Sequence, residues 1–314
     1  MKIYVIETLD RVGNVADELK NYGDVVLLNN RGKDIDAYTE IFSDESEKVL
    51  AIAPGEIDWK LPTETLNKIK SLKGIATKSS WAHYIDLDFC RQNNITVTNT
   101  PGANSQSVAE YALWMMFSLA RKLPLQIRDG FKIAWNTEHT QTEIFGKTMG
   151  IVGLGHIGKI LAQRGEGLGM NVVYWSKKSR DNSYDYLELD QLMAKSDFVF
   201  NCLEVCEKTK GILNRDLLSK LKTSAYFISV LGGMGFGVQN DDYLIEMVKN
   251  KSLAGFAVEN EHEHEFKAPG TDTGNIFTPG AYAWFTQEAE NRTNQIWLEN
   301  IRGMLLGTPA NVVV

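Results

Sequence analysis

The chain has 314 residues, with 33 Lys and Arg against 40 Asp and Glu and a formal net charge of −7. An acidic chain lacks the basic surface that wrapping nucleic acid requires, so no nucleic-acid partner is expected. Three Cys are too few for a disulfide framework in a chain of this length. The sequence has no run of about 18 apolar residues that could cross a membrane. The start MKIYVIE has no signal-peptide pattern. A cytoplasmic protein of two domains, with no membrane partner, is therefore expected.

Short β-branched runs alternate with helical patterns through the first hundred residues. This alternation is typical of a parallel sheet covered by helices, the α/β class. The predicted strands are Lys2–Glu7, Asp24–Leu28, Val49–Ala53, Ile75–Thr77 and Ile95–Thr98. The predicted helices lie near Val12–Tyr22, Thr63–Lys70 and Asp86–Gln92. A hinge is expected at Pro101 and Gly102, which interrupt the pattern.

A long helix is predicted next, over Ser105–Arg121, and it is apolar on more than one face. Such a helix forms core or a subunit interface more often than it contacts a cofactor. The alternation restarts with predicted strands at Thr148–Gly153, Val172–Ser176, Phe198–Cys202, Ala225–Leu231 and Ala254–Glu259. The matching helices are Ile157–Leu168, Leu187–Lys195, Arg215–Lys220, Asp242–Lys249 and, at the end of the chain, Gln287–Leu305.

A glycine-rich turn lies between the first of these later strands and its helix. The run from Gly153 to Gly158 reads G-x-G-x-x-G, and its place between a strand and a helix is typical of dinucleotide binding. The second glycine lets the backbone approach a pyrophosphate, which the positive helix N-terminus attracts. The predicted cofactor-binding residues are Gly153, Gly155, His156, Ile157 and Gly158. The alternative is a tight turn that binds nothing.

The second strand of this part ends in Ser176, Lys177 and Lys178, where NAD-binding proteins place an acidic residue for the ribose 2′-hydroxyl. A carboxylate repels a 2′-phosphate, whereas a hydroxyl and two cations attract it. The sequence therefore favours NADP(H) over NAD(H). The alternative is that the lysines belong to a solvated charged turn.

The run from Phe145 to Gly158, together with Asn99–Ser105 and Val108-Ala109-Glu110, resembles the D-2-hydroxyacid dehydrogenase family. The resemblance implies two Rossmann-like or flavodoxin-like parallel-sheet domains with a cleft between them, in a homodimer. It implies a substrate domain over 1–101, completed by the C-terminal helix 287–314, and a dinucleotide-binding domain over 102–286. It also places Val108, Cys202, Leu203 and Glu259 at the cofactor, although inert packing is an alternative for Cys202.

The catalytic residues of that family are missing. The Arg that clamps the substrate carboxylate has no counterpart, because no Arg lies between Arg215 and Arg292. The His that follows Thr-Pro is also missing, because the chain has no His after His264. An NAD(P)-dependent oxidoreductase with an altered active site is expected, acting on a small carbonyl or hydroxyl compound other than a simple 2-keto acid. The alternatives are a catalytically inactive sensor or scaffold that binds nucleotide, and a redox-neutral enzyme that retains its cofactor.

Five residues are candidates for the missing chemistry: His262, His264, Lys78, Tyr282 and His83. His264 takes the position of the family's orienting Glu. For His262 and His264 the alternatives are a solvated loop and a metal site, of which the metal site is not the prediction. Tyr282 is a candidate acid or a packed side chain, and Lys78 is a candidate cation or a surface residue. Trp81 is expected to line the substrate pocket, and His139 to be solvated.

Overall fold

A computed structural model describes residues 1–29, 34–231, 238–259 and 274–314. The chain divides into two compact units, Met1–Asn104 with Gln287–Val314, and Ser105–Thr286. Each unit holds one parallel sheet, which confirms the predicted α/β class. Within the described ranges, no helix has both the length and the apolar character needed to cross a membrane.

The first unit contains a five-stranded parallel sheet in the order β2-β1-β3-β4-β5. Its strands are β1 (Lys2–Ile6), β2 (Asp24–Leu28), β3 (Lys48–Ile52), β4 (Leu72–Thr77) and β5 (Thr96–Thr98). Its early helices are α1 (Val15–Leu19), α2 (Thr39–Ser43), α3 (Thr63–Leu66) and α4 (Leu87–Gln92). All five residues of β3 are buried, as expected of a central strand covered on both faces.

The C-terminal helix (Gln287–Leu305) completes this unit and has the predicted bounds. Trp297 and Ile301 on this helix are fully buried. The indole Nε1 of Trp297 donates a hydrogen bond of 2.8 Å to the carbonyl oxygen of Ala76 in β4. The helix is thus held both by apolar burial and by a satisfied buried donor.

The second unit contains a seven-stranded parallel sheet in the order β12-β11-β10-β9-β6-β7-β8. Its strands are β6 (Thr148–Val152), β7 (Asn171–Trp175), β8 (Asp185–Tyr186), β9 (Phe198–Asn201), β10 (Tyr226–Ser229), β11 (Gly255–Val258) and β12 (Ile276–Phe277). Its helices are α5 (Ser105–Ala120), α6 (Leu123–Arg128), α7 (His156–Gly167), α8 (Leu189–Lys195), α9 (Arg215–Leu218) and α10 (Asp241–Lys249). The strand order reverses between β6 and β9, and ligands of such sheets bind at the carboxyl ends of strands at this point.

The structure adds elements that the pattern did not predict, namely α2, α6, β8 and β12. The two strands have two residues each, too few to show a period. The first helix is shorter than predicted, because Gly13 has a φ of 58° and α1 starts only at Val15. The helix α5 buries Met115, Met116 and Leu119 completely, so most of this apolar helix is core.

Candidate functional site

The three glycines of the turn after β6 have different physical reasons for lacking a side chain. Gly153 has a φ of 103°, and a Cβ there would lie 2.7 Å from the carbonyl oxygen of Cys202. A Cβ at Gly158 would lie 2.1 Å from the carbonyl oxygen of Gly153. A Cβ at Gly155 would meet no atom of the described residues within 4 Å, so none of their contacts requires this exposed glycine. The protein thus leaves space at Gly155 for a ligand to approach the backbone.

The helix α7 begins directly after this space, with Gly155 as its N-cap residue. His156 is exposed, Ile157 is half-buried, and the first turn contains no acidic residue. Amide groups at a helix N-terminus bind anions, and the first turn of α7 carries no carboxylate that would oppose this. The residues present therefore fit the pyrophosphate of a dinucleotide, which the backbone of Gly155 and the first turn of α7 would hold.

The turn after β7 carries the residues from which the sequence predicts binding of a 2′-phosphate. Ser176 is buried, and its Oγ accepts the backbone N–H of Ser179 at 3.2 Å. The guanidinium of Arg180 donates to the Ser176 carbonyl at 2.7 Å and lies 4.2 Å from the ring centroid of Tyr186, so it shapes the turn. Lys177 and Lys178 are exposed, and neither forms an ion pair with a described residue.

The backbone after β9 faces the glycine turn. The N–H of Cys202 donates to the carbonyl of Val152 at 2.8 Å, which extends the ladder between β6 and β9. Burial raises the pKa of the Cys202 thiol to about 12, so it stays protonated at neutral pH. Leu203 beside it is buried. Cys202 and Leu203 thus offer backbone and packing to this site.

Glu259 directly follows β11, and its buried carboxylate holds the chain after Pro279. Its Oε1 accepts the backbone N–H of Ala283 at 2.7 Å. Two side chains of α5 act on the same stretch: Ser107 donates its hydroxyl to the Ala283 carbonyl, and Tyr111 donates to the Gly280 carbonyl at 2.6 Å. The segment 280–283 is thus anchored at three points. Val108, on the same helix, is buried.

Tyr282 projects from this anchored segment and is 65% exposed. Its ring packs on Gly280, where a Cβ would lie 2.8 Å from the ring atom Cε2. The ring is thus largely open on one side and packed on the other, so both the candidate acid and the alternative of a packed side chain stay predictions. Burial, together with the charge of Glu259, raises the pKa of the neighbouring Tyr111 to about 12. Tyr111 therefore remains a hydrogen-bond donor at neutral pH.

Lys78 is buried, which corrects the alternative of a surface lysine. Its ammonium contacts Glu7 Oε2 at 2.7 Å, the Arg11 carbonyl at 2.9 Å and Glu290 Oε2 at 3.5 Å. An ammonium has three donors, and three protein oxygens face them. The positive charge of Lys78 is also neutralised by the carboxylate of Glu7, whose side chain is 0% exposed. Lys78 therefore acts as a structural cation of the first unit.

The remaining sequence candidates are more scattered. His83 is exposed, with its ring 5.9 Å from that of Trp81, and Trp81 packs against Trp59 at 5.6 Å. His262 and His264 lie outside the described residues. The expectation of a solvated His139 is wrong: its side chain is 12% exposed, and its Nε2 lies 2.7 Å from Asp129 Oδ2.

Sequence reasoning missed Glu7 and Tyr111. Glu7 directly follows β1 as Lys78 directly follows β4, so opposite charges at two strand ends of one parallel sheet were an available signal. Tyr111 lies in α5 four residues after Ser107, and this helical spacing puts the two hydroxyls on one face. Neither pattern predicts which distant residue the side chain contacts.

Residues 113–275 match the family described as D-isomer specific 2-hydroxyacid dehydrogenase, NAD binding domain. A hydroxypyruvate reductase of Thermotoga maritima is 28% identical over 248 residues, which are 75% of this chain and 78% of that protein. An acyclic imino acid reductase in complex with NADPH and D-Arg superposes with a TM-score of 0.85 at 24% identity, over 100% of both chains. A D-lactate dehydrogenase of Aquifex aeolicus with NAD and lactic acid superposes with a TM-score of 0.80 at 22% identity, over 100% of this chain and 99% of that one.

Gly155→Ala will weaken dinucleotide binding, whereas Gly158→Ala will lower the stability of the protein. A methyl group at 155 enters ligand space, so we expect unchanged thermal stability and about tenfold weaker dinucleotide binding. A methyl group at 158 collides with the Gly153 carbonyl, so we expect a loss of about 2 kcal/mol of stability or more. Calorimetric melting and fluorescence titration measure the two effects. Equal stability losses in both variants would contradict this reading of the turn.

Lys78→Met will destabilise the protein because it leaves the buried Glu7 carboxylate without its cation. We expect a loss of about 3–5 kcal/mol in the free energy of unfolding, measured by urea denaturation. The matched control is Lys60→Met, because Lys60 pairs with Asp58 at 2.6 Å on an exposed turn. Exposed pairs contribute about 1 kcal/mol or less. The assignment fails if Lys78→Met is as mild as the control.

Proposed function

The chain belongs to the D-isomer specific 2-hydroxyacid dehydrogenase family, and on that premise we propose that it is an NAD(P)-dependent oxidoreductase for a small carbonyl or hydroxyl compound. The observation that carries the proposal is the space at Gly155, at the N-terminus of a twelve-residue helix without acidic residues in its first turn. A pyrophosphate has the charge and the shape for that space.

NADP(H) is the proposed cofactor. Ser176 directly follows β7, at the position where a carboxylate would repel a 2′-phosphate. Lys177 and Lys178 come next and are exposed. Neither lysine pairs with a described carboxylate, and Lys177 donates to the Lys208 carbonyl at 3.4 Å, whereas Arg180 donates to two carbonyls of the turn at 2.7 and 2.9 Å. A cationic turn of this kind binds the additional phosphate through charge-assisted hydrogen bonds.

The proposed substrate is a small carbonyl compound other than a simple 2-keto acid. A carboxylate substrate needs a cation with unused donors, ideally a bidentate Arg. The sequence has no Arg from residue 216 to residue 291. Lys78 directs its donors at Glu7, Arg11 and Glu290. These residues support a substrate whose binding does not depend on a carboxylate clamp.

Tyr282 is the proposed proton donor. When bound, the dinucleotide supplies a hydride, and the carbonyl oxygen that receives negative charge needs a proton. A phenol holds its proton at neutral pH, so it serves as an acid in the direction of reduction. Glu259, Ser107 and Tyr111 hold the backbone that carries Tyr282, and Gly280 supports its ring. His83, His262 and His264 remain predicted alternatives for this proton.

We also propose a homodimer in the cytoplasm. The Ser105–Thr286 unit exposes several large apolar side chains, namely Trp114, Phe117, Phe131, Ile133 and Trp135. Aromatic and apolar side chains are enriched at homodimer interfaces, and the family resemblance points to a second copy. All three cysteines, Cys90, Cys202 and Cys206, are thiols, which suits a reducing compartment.

A second candidate is a dinucleotide-binding protein without catalysis. The observation that favours it is the engagement of Lys78 by three oxygens of its own unit, which leaves this candidate cation without a donor for substrate. Such a protein keeps the space at Gly155 and needs no proton donor.

NADPH will bind at least tenfold more tightly than NADH in a titration of intrinsic tryptophan fluorescence. The double substitution Lys177→Ala and Lys178→Ala will weaken NADPH binding about tenfold and leave NADH binding unchanged, because only the 2′-phosphate needs these charges. Lys249→Ala, an exposed lysine at the end of α10, is the control and will change neither affinity. Tighter binding of NADH would contradict the proposed cofactor.

Tyr282→Phe will lower kcat about 100-fold and leave the Kd for NADPH unchanged, because only proton donation is lost. The measurement is NADPH oxidation with a panel of small aldehydes, ketones and 2-keto amides. The control is Tyr22→Phe, a partly exposed tyrosine of the first unit, which will keep the full rate. Full activity of Tyr282→Phe would remove Tyr282 from the mechanism. Tight NADPH binding without turnover of any carbonyl would favour the second candidate.

A further inference from the structure

The peptide between Cys202 and Leu203 forms the wall opposite the glycine turn. A Cβ at Gly153 would lie 2.7 Å from the Cys202 carbonyl oxygen and 3.0 Å from the Leu203 nitrogen. The turn follows β6 and the peptide follows β9, the two strands at which the order of the sheet reverses. A displacement of this peptide therefore moves the backbone that approaches the pyrophosphate.

A chain of four hydrogen-bonded groups holds that peptide in place. The N–H of Leu203 donates to Asn201 Oδ1 at 3.2 Å. Asn201 Nδ2 then donates to Gln239 Oε1 at 2.7 Å, and Gln239 Nε2 donates to Asp241 Oδ1 at 2.6 Å. We call Asn201, Gln239 and Asp241 the amide relay. It links the end of β9 to the first turn of α10.

The direction of the amide relay is determined at both ends. A backbone N–H can only donate, so Asn201 must present its oxygen to Leu203 and its NH₂ to Gln239. An ionised carboxylate can only accept, so Gln239 must present its NH₂ to Asp241. Each amide thus has one orientation that satisfies both neighbours. Since Asn201 is 0% exposed, an unsatisfied group there has no water to replace the lost bond.

Asp241 anchors the relay from the start of α10. Burial, with the charge of Asp242, raises the pKa of the Asp241 carboxyl group, and the bond from Gln239 opposes that shift. The N-terminus of α10 also favours a negative charge, and Asn240 caps the helix by accepting the N–H of Tyr243. The bond from Gln239 and the helix start thus favour the charged carboxylate, whereas burial and Asp242 disfavour it, so the pKa of Asp241 remains raised.

We propose that the amide relay is a positioning device for the dinucleotide site, which sets the Cys202–Leu203 peptide against Gly153 and so determines cofactor affinity. The inference rests on the proposed cofactor binding and extends it to three residues that act through the Cys202–Leu203 peptide. If the relay served only the stability of the unit, its reversal would change the melting temperature and leave the Kd for NADPH unchanged.

The test reverses the polarity of the relay with near-isosteric substitutions. In Asn201→Asp, the carboxylate accepts from Leu203 and from a flipped Gln239, which then directs its oxygen at the Asp241 carboxylate. We expect about tenfold weaker NADPH binding, because two acceptors meet without a proton. Adding Asp241→Asn supplies a donor for the flipped glutamine, and we expect the double variant to recover at least half of the lost binding free energy.

The control is Asn214→Asp, the same chemical change at the N-cap of α9, where Oδ1 accepts the N–H of Leu217 at 2.9 Å. An Asp serves equally well there, so NADPH affinity will not change. Circular dichroism and melting temperature, measured for every variant, show whether a weaker titration reflects unfolding.

The results distinguish a failure of the proposed cofactor site from a failure of the positioning role. If the unsubstituted protein binds neither NADPH nor NADH, the proposed cofactor site itself fails. If it binds NADPH and Asn201→Asp binds it equally well, the positioning role is overturned. It is also overturned if the double variant binds as weakly as Asn201→Asp while both remain folded. Recovery in the double variant supports the relay, because a merely additive structural defect does not recover.

Discussion

The packing of α7 against the end of β6 is the contact on which the candidate site depends. The Gly153 carbonyl lies 2.1 Å from the position of a Cβ at residue 158, so only glycine permits this approach. The approach brings the first turn of α7 to the carboxyl end of β6, beside the reversal in strand order. The space at Gly155, the amides of the helix start and the peptide after β9 all take their positions from it.

The two units use buried charge in different ways. In the first unit, Glu7 and Lys78 neutralise each other at the ends of β1 and β4, and the C-terminal helix adds Glu290. Such a pair loses much of its attraction to desolvation, so its strongest effect is to penalise any arrangement that separates the charges. In the second unit, Glu259 holds a backbone amide and Asp241 ends a chain of amides. Both carboxylates orient neighbouring groups.

Much of the fold was predictable because hydrophobic periodicity is local. The strand Asp24–Leu28 and the helix Gln287–Leu305 have their predicted bounds. The strands β8 and β12 were not predictable, because two residues show no period and their formation depends on neighbouring strands already in place. In the site, the glycine pattern pointed to the turn, but the difference between Gly155 and Gly158 arises from which atoms lie opposite each Cα.

The sequence by itself determined the α/β class and the glycine turn, because these follow from residue identity and short spacing; that the family's Arg and His are lost stays a prediction of the sequence. Only the tertiary structure decided what the charged candidates do. Lys78 meets Glu7 across 71 positions of sequence, and Asn201 meets Gln239 across 38. A side chain's role depends on which donors and acceptors surround it after folding, and long-range packing sets those neighbours.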